Sequence, residues 1–177
     1  IQSDEGRRYG ELARRHAERL PEREAVLVEA ADAYRAGRPG VVDSLEAAVR
    51  RWPDDPEAWG LLGEARYHTS APASAEEIEA AFAEAIRLDP GFAPLYIHAI
   101  ELAIDHRADS SLAAGRLARY RSVAGDDPWA RRFSPAVDLA FGSPDVRKAA
   151  LAGLDTVPSD VLEGFGSVLR HPRYRRW

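Results

Sequence analysis

The spacing of the points at which helices must break is the feature that most constrains this chain. Such breaks recur at Pro53 in "RRWPDDPEAW", at Pro90 in "RLDPGFAPLY" and at Gly125 in "SVAGDDPWAR". Pro53 and Pro90 lie 37 residues apart, and Pro90 and Gly125 lie 35 residues apart. A period in the mid-thirties that holds two short helices indicates a solenoid of stacked helical hairpins.

Apolar residues recur at helical spacing along most of the chain, and no segment alternates convincingly with the period of two that a strand requires. In the first predicted helix, one face comprises Tyr9, Leu12, Ala13, His16, Ala17 and Leu20. Ala dominates the apolar residues, and this bias favours helix over strand. We therefore predict an all-α fold of about ten helices.

Residues that prefer helix ends set the predicted boundaries. Asp55 followed by Pro56, and Ser74 followed by Glu77, are typical of helix N-termini, and Gly37 is typical of a C-terminus. Further helix starts are predicted at Ser134-Pro135, Ser143-Pro144 and Pro158-Ser159, and further helices over 93–106 and 110–123.

These boundaries organise residues 1–177 as a single array. A flanking helix with a polar outer face comes first, four hairpins follow, and a second flanking helix and a tail come last. The ranges are 3–20, 22–53, 54–90, 91–125, 126–157, 158–170 and 171–177.

Residues inside the period match both helices of a known repeat. They are Trp59, Leu62, Gly63, Phe82, Ala85, Pro90 and, at the Trp position of the next unit, Tyr96. The chain therefore resembles the tetratricopeptide repeat family. The resemblance implies a right-handed superhelix of antiparallel helices, in which Gly63 lets the second helix approach closely. Arg66 stands where the repeat pattern has a Tyr. The alternative to a tetratricopeptide-like fold is an unrelated helical bundle.

A narrower similarity covers about residues 10 to 107, and "LPERE", "PDDPEAW" and "AFAEAIRLDPGFAPLY" carry it. This region resembles the degenerate repeats that follow the catalytic domain in some bacterial Ser/Thr protein kinases and related signalling proteins. It implies a regulatory or docking module of a larger protein. Because the chain starts at Ile1 and contains no Met, we expect a fragment or a processed product. The compartment is not identified; we favour the cytoplasm, and an extracytoplasmic location would need a membrane span elsewhere in the parent protein.

Charge and composition argue against several partner classes. A net charge of −5 does not suit a general binder of nucleic acids or anionic membranes. The basic tail "RHPRYRRW" is interpreted as the start of another hairpin. The chain has no Cys, and no apolar run approaches the roughly 20 residues of a membrane span.

Strings that resemble catalytic motifs do not predict an enzyme. Ala108 stands where a kinase would carry its catalytic Asp after His106 and Arg107, and the chain contains no Asn for the catalytic loop. Ser110 and Ser111 are interpreted as helix-start residues rather than nucleophiles. We predict a non-catalytic protein without a cofactor.

One helix face carries a set of residues that could in principle hold a metal. His98, Glu101 and Asp105 share that face, and His106 follows them. Helical sites of this kind need matching ligands from facing helices, and no second Glu/His pair is evident. We interpret the face as a solvated polar surface and predict no metal site.

In tetratricopeptide arrays, the first helix of each hairpin lines a concave groove that holds a peptide or helix. Carried over by spacing, the resemblance implies groove residues Gly60, Glu64, Tyr67, His68, Ile97, Glu101, Ile104 and Asp105. This face is acidic with Tyr and aliphatic residues, so we predict a protein or peptide partner that is basic or mixed basic–apolar. The alternative is that these are ordinary solvated charges.

Self-assembly is the alternative function. Solenoid ends expose apolar helix faces unless polar residues cap them. In the last predicted helix, such a face would comprise Val161, Leu162, Phe165, Val168 and Leu169. End-to-end stacking through this face would produce a homo-oligomer.

Overall fold

The computed structural model describes residues 4–69 and 73–154, with side chains from residue 8 onward. Within these ranges all regular secondary structure is helical, which confirms the predicted all-α class. The described residues contain nine α-helices, and the predicted helix over 158–170 and tail over 171–177 lie outside them. The chain divides into two compact units, residues 1–90 and residues 91–177.

Unit 1 (residues 1–90) is built from five α-helices in its described part. They are α1 (Asp4–Arg15), α2 (Glu22–Arg35), α3 (Val41–Arg51), α4 (Pro56–His68) and α5 (Ala75–Leu88), with a short 3-10 helix at Ala17–Arg19. Helices adjacent in sequence pack on one another, and α4 also contacts α2. The core combines Leu27, Leu45, Val49, Leu62 and several buried alanines. The small Ala side chains let the helix backbones pack closely around these larger residues.

Three predicted helix ends in unit 1 are confirmed. The Asp55 carboxylate accepts hydrogen bonds from the backbone N–H of Glu57 (3.0 Å) and of Ala58 (3.4 Å) at the start of α4. Ser74 and Glu77 form a reciprocal capping box at the start of α5. Gly37 follows α2 with a φ of +62°, a conformation that favours glycine.

The α4–α5 pair is antiparallel and closely packed. A Cβ added at Gly63 would lie 2.8 Å from Cε1 of Phe82, so this approach requires glycine. One turn along α4, Arg66 donates to the backbone oxygen of Glu77 at 3.1 Å. Residue numbers rise along α4 while those of the contacts on α5 fall, which makes the helices antiparallel. Arg66 also donates to Glu46 on α3 at 2.9 Å, so this departure from the repeat pattern links three helices.

The first predicted helix differs from the observed one. The chain leaves the α-helical conformation at His16, where φ is −118° and ψ is 16°, and continues as the 3-10 helix. Tyr9 is 62% exposed and Leu12 is 42% exposed, whereas Ala17 is buried. The helical spacing predicted one continuous apolar face over 3–20, but the turn at His16 separates its two parts.

The described part of unit 2 (residues 91–177) contains four α-helices. They are α6 (Leu95–Leu102), α7 (Ser110–Ala124), α8 (Pro128–Phe141) and α9 (Pro144–Gly153), and a π-helical turn at Ala103–Arg107 continues α6. Each helix packs on the next one in sequence. The predicted helix over 93–106 is therefore α-helical only to Leu102. The turn ends at Ala108, a non-glycine residue with a φ of +49°.

One predicted helix start in unit 2 is wrong. Ser134 and Pro135 lie inside α8, whose N-cap is Asp127. The hydroxyl of Ser134 donates to the backbone oxygen of Ala130 at 2.7 Å instead of capping a new helix. A Ser-Pro pair is typical of a helix start, but here Asp127-Pro128 begins the helix first and α8 continues through Pro135. The predicted start at Ser143-Pro144 is confirmed by α9.

Candidate partner-binding surface

The N-terminal end of α4 is held by a partly buried ion pair. Arg23 on α2 approaches both carboxylate oxygens of Asp55, at 2.6 Å and 2.7 Å, and Asp55 is only 5% exposed. Burial alone would raise the pKa of Asp55, but hydrogen bonds from Arg23 and from backbone amides bring this pKa below its usual value. The ion pair fixes α4 against α2, and thereby places the side chains at the other end of α4.

The C-terminal end of α4 carries a cluster of aromatic and acidic groups. His68 Nε2 lies 3.6 Å from a Glu64 oxygen, and the His68 ring meets the Tyr67 ring edge-on at 4.9 Å. Tyr34, at the end of α2, has its ring 6.4 Å from the His68 ring. Burial, together with the charge of Glu64, raises the pKa of Tyr34 to about 12. Two neighbouring helix ends thus present rings beside a carboxylate.

A cleft of about 750 Å³, the α2–α4 cleft, opens next to this cluster. Four segments line the cleft: the end of α2, the α2–α3 turn, the first turns of α3 and the end of α4. The lining residues include Tyr34, Gly40, Val42, Asp43, Glu46 and His68. Its volume falls within the roughly 300–1,000 Å³ typical of ligand sites. Both apolar and charged side chains are therefore available to one ligand.

The charges around the α2–α4 cleft leave one acidic group without an ion pair. Arg38 pairs with Asp32, and Glu46 pairs with Arg66. Asp43 is exposed and, within the described part of the chain, forms no ion pair. The C-terminal ends of α2 and α4 add partial negative charge, and the N-terminal end of α3 adds partial positive charge. Asp43 is therefore the group of the lining that is available to a cationic group of a ligand.

The groove residues predicted on α4 divide by accessibility. Gly60 is buried, Glu64 and Tyr67 are half-buried, and His68 is exposed and lines the α2–α4 cleft. Tyr34 and Asp43 are not among the groove residues predicted from the sequence. Gly37 predicts the end of a helix, and no local signal shows that the turn after it lies beside the end of α4.

The groove residues predicted in unit 2 have other surroundings. Glu101 lies 2.6 Å from His98 Nδ1 and accepts from Arg132 at 3.3 Å, and the Arg132 guanidinium stacks 4.8 Å from the Trp129 ring centroid. Ile104 is 1% exposed, while Ile97 and Asp105 are half-buried. The carboxylate of Glu101 is thus held in an ion-pair network.

The residues assigned to packing between hairpins are mostly in the interior. Trp59 is half-buried and donates from Nε1 to the backbone oxygen of Pro53 at 2.8 Å. Pro90 is exposed just after α5, and the buried members are Leu62, Gly63, Phe82, Ala85 and Tyr96. The proposed self-assembly residues, from Val161 to Leu169, lie outside the described residues.

Comparison of the chain with protein-family models, curated proteins and solved structures gives no significant match. Across residues 4–69 and 73–154, no helix is both long enough and apolar enough to cross a bilayer.

Proposed function

We propose that this chain is a non-catalytic protein-interaction module that binds a basic or mixed basic–apolar segment of a partner. The contact surface in unit 1 is the exposed end of α4, with Glu64, Tyr67 and His68, together with the α2–α4 cleft. The observation that carries the proposal is this cleft, because it combines sufficient volume with aromatic and acidic groups.

The arrangement of unit 1 also supports a tetratricopeptide-like stacking of hairpins. Within this unit, α4 and α5 form an antiparallel pair with a close approach at Gly63, and α4 contacts α2. Arg23 and Asp55, which join α2 to α4, lie 32 residues apart, close to the period of the helix breaks. We propose that the same period governs a right-handed superhelix, and that the module serves as a docking element of a larger bacterial signalling protein.

The first test is a selection of random 12-residue peptides displayed on phage against the whole chain. We expect the selected peptides to be rich in Lys and Arg beside apolar residues. Replacing Glu64 with Lys should weaken their binding by about 3- to 10-fold and reduce its salt dependence. Fluorescence anisotropy at two ionic strengths measures both effects.

Glu29→Lys is a matched control, because Glu29 is an exposed acid on α2 that does not line the cleft. It should leave affinity unchanged. Equal losses from both variants would mean that only net charge matters, and a failure to select any peptide would refute the proposed function. Glu101→Lys, in a separate experiment, tests whether unit 2 contributes to the same partner.

A further inference from the structure

We propose that the α2–α4 cleft is an anchor site for one apolar side chain of the partner, and that Asp43 binds a Lys or Arg directly adjacent to it. This proposal rests on the proposed function, since it names the part of the partner that the surface recognises. The α2–α3 turn, and not only a helix face, would then determine which partner sequences bind.

Part of the cleft lining is apolar. Val41 is 4% exposed, and Val42 and Tyr34 are half-buried and pack against the core of unit 1. All three line the cleft. An aliphatic or aromatic side chain that enters would therefore cover apolar surface that the fold leaves partly open, which is favourable in water.

The α2–α3 turn leaves room for the backbone of a partner. Gly37 and Gly40 both line the cleft and have positive φ values of 62° and 79°. A Cβ added at either residue would meet no atom within 4 Å. The wall formed by this turn therefore has no side chain at these two positions, and a bound chain can approach the turn closely.

The charge distribution selects the neighbour of the apolar side chain. Asp43 lies in the first turn of α3, next to Val42, and is exposed at the cleft. Arg38, the basic residue in the lining, is already paired with Asp32. A Lys or Arg next to the anchored side chain would gain an ion pair with Asp43, whereas an acidic residue would be repelled.

The test uses the peptides selected on the whole chain, with a photo-reactive leucine placed at their common apolar position. We expect crosslinks to the segment 34–43 after irradiation, located by mass spectrometry. Asp43→Arg should weaken binding at least tenfold, and exchanging the peptide's adjacent Lys or Arg for Glu should do the same. Thr69→Trp, which places a bulky ring in the cleft lining, should also reduce binding; Glu29→Arg is the control.

The outcomes separate this inference from the proposed function. Crosslinks to 34–43 together with loss of binding in Asp43→Arg support the anchor site. If the peptides bind but crosslink only to other parts of the chain, or bind Asp43→Arg normally, the anchor site is refuted and the proposed function stands. If no peptide is selected, both are refuted. Circular dichroism verifies that each variant is folded, and Asp43→Arg decides the matter if Thr69→Trp does not fold.

Discussion

The two Asp-Asp-Pro junctions of this chain, at 54–56 and 126–128, use the same local sequence in different ways. Asp55 begins α4 in unit 1 and accepts hydrogen bonds from the backbone N–H of Glu57 and of Ala58. Asp127 begins α8 in unit 2 and accepts one from the backbone N–H of Ala130 at 2.8 Å. The Asp55 carboxylate also accepts from Arg23, 32 residues earlier in the chain. The Asp127 carboxylate also accepts from the hydroxyl of Tyr120, seven residues earlier, at 2.6 Å.

This difference shows that one capping motif can have two energetic roles. At Asp55 the cap is also the buried member of an ion pair that joins α2 to α4, so removing its partner would leave a buried carboxylate uncompensated. At Asp127 the donor is a neutral hydroxyl on the immediately preceding helix, and Asp127 is half-exposed, so water can replace it. The first junction holds together two helices, α2 and α4, that are not adjacent in sequence. The second stabilises the turn between the consecutive helices α7 and α8.

The largest effect is expected from Arg23→Ala. It should destabilise unit 1 by about 2–4 kcal/mol, because Asp55 would keep its charge in a site that is nearly closed to water. The Arg23 side chain is 34% exposed, so we place the cost below that of a fully buried pair. Hydrogen exchange followed by NMR should show faster exchange of α4 amides with little change in α8. Arg19→Ala, at a 76% exposed Arg, is the control and should have almost no effect.

A second change adds a methyl group to the side of α4 that contacts α5 and leaves the capped N-terminus of α4 intact. Gly63→Ala should cost about 1–3 kcal/mol, because the new Cβ overlaps the Phe82 ring. Replacing Phe82 with Leu in the same chain should restore part of the loss, as chemical denaturation would show. Gly115→Ala is the control, since a Cβ there meets nothing within 4 Å. If Gly63→Ala is tolerated without loss, the close approach of α4 and α5 is not a constraint.

A smaller effect is expected at the second junction. Tyr120→Phe removes the hydroxyl that donates to Asp127 and should destabilise unit 2 by about 1 kcal/mol. The α8 amides should exchange faster while the α4 amides do not. A loss as large as that from Arg23→Ala would mean that Asp127 depends on its partner as strongly as Asp55 does, and would remove the distinction between the junctions.

The stability that each junction contributes should depend on pH in opposite directions, with loss in acid at the first junction and in alkali at the second. The folded pKa of Asp55 is lowered, so its contribution is present above its ordinary pKa of 3.8 and is lost as the pH falls below that value. Burial and the hydrogen bond to Asp127 raise the pKa of Tyr120, so its contribution is present below its ordinary pKa of 10.0 and is lost at more alkaline pH. Thermal melting followed through the methyl NMR signals of Leu62 and Leu139 would report each unit.

In that experiment, Arg23→Ala should reduce the acid sensitivity of unit 1, and Tyr120→Phe should reduce the alkaline sensitivity of unit 2. Tyr34 also has a raised pKa, so unit 1 should be measured at high pH in a Tyr34→Phe background. Unchanged acid sensitivity in Arg23→Ala would show that other carboxylates dominate.

Much of the secondary structure could be predicted because helix ends depend on nearby residues. Asp55, Ser74 and Ser143 are N-caps as predicted, since at the start of a helix a capping side chain lies within reach of the amides two and three positions later. The same signal failed at Ser134, where a helix had already begun at Asp127. The preference of Asp and Ser for N-cap positions indicates several possible helix starts. Packing of the whole helix decides which of them is used.

The candidate surface was only partly predictable. The resemblance to the tetratricopeptide repeat implies Glu64, Tyr67 and His68 as groove residues, because their spacing from Trp59 matches the groove side of the first helix. The α2–α4 cleft could not be predicted in this way, since Tyr34 lies on α2 and Asp43 lies on α3. Periodicity assigns residues to a face, but it gives no distance between residues on different helices.

The sequence by itself determined the all-helical class, the capped ends of α4, α5 and α9, and the glycine at the end of α2. Each of these depends on interactions among residues a few positions apart, which are available wherever the chain is helical. Only the tertiary structure decided that Arg23 would neutralise Asp55, that Arg66 would link three helices, and that the α2–α3 turn would form a cleft with the end of α4. These depend on which helix surfaces meet, and burial of apolar side chains throughout unit 1 sets that choice.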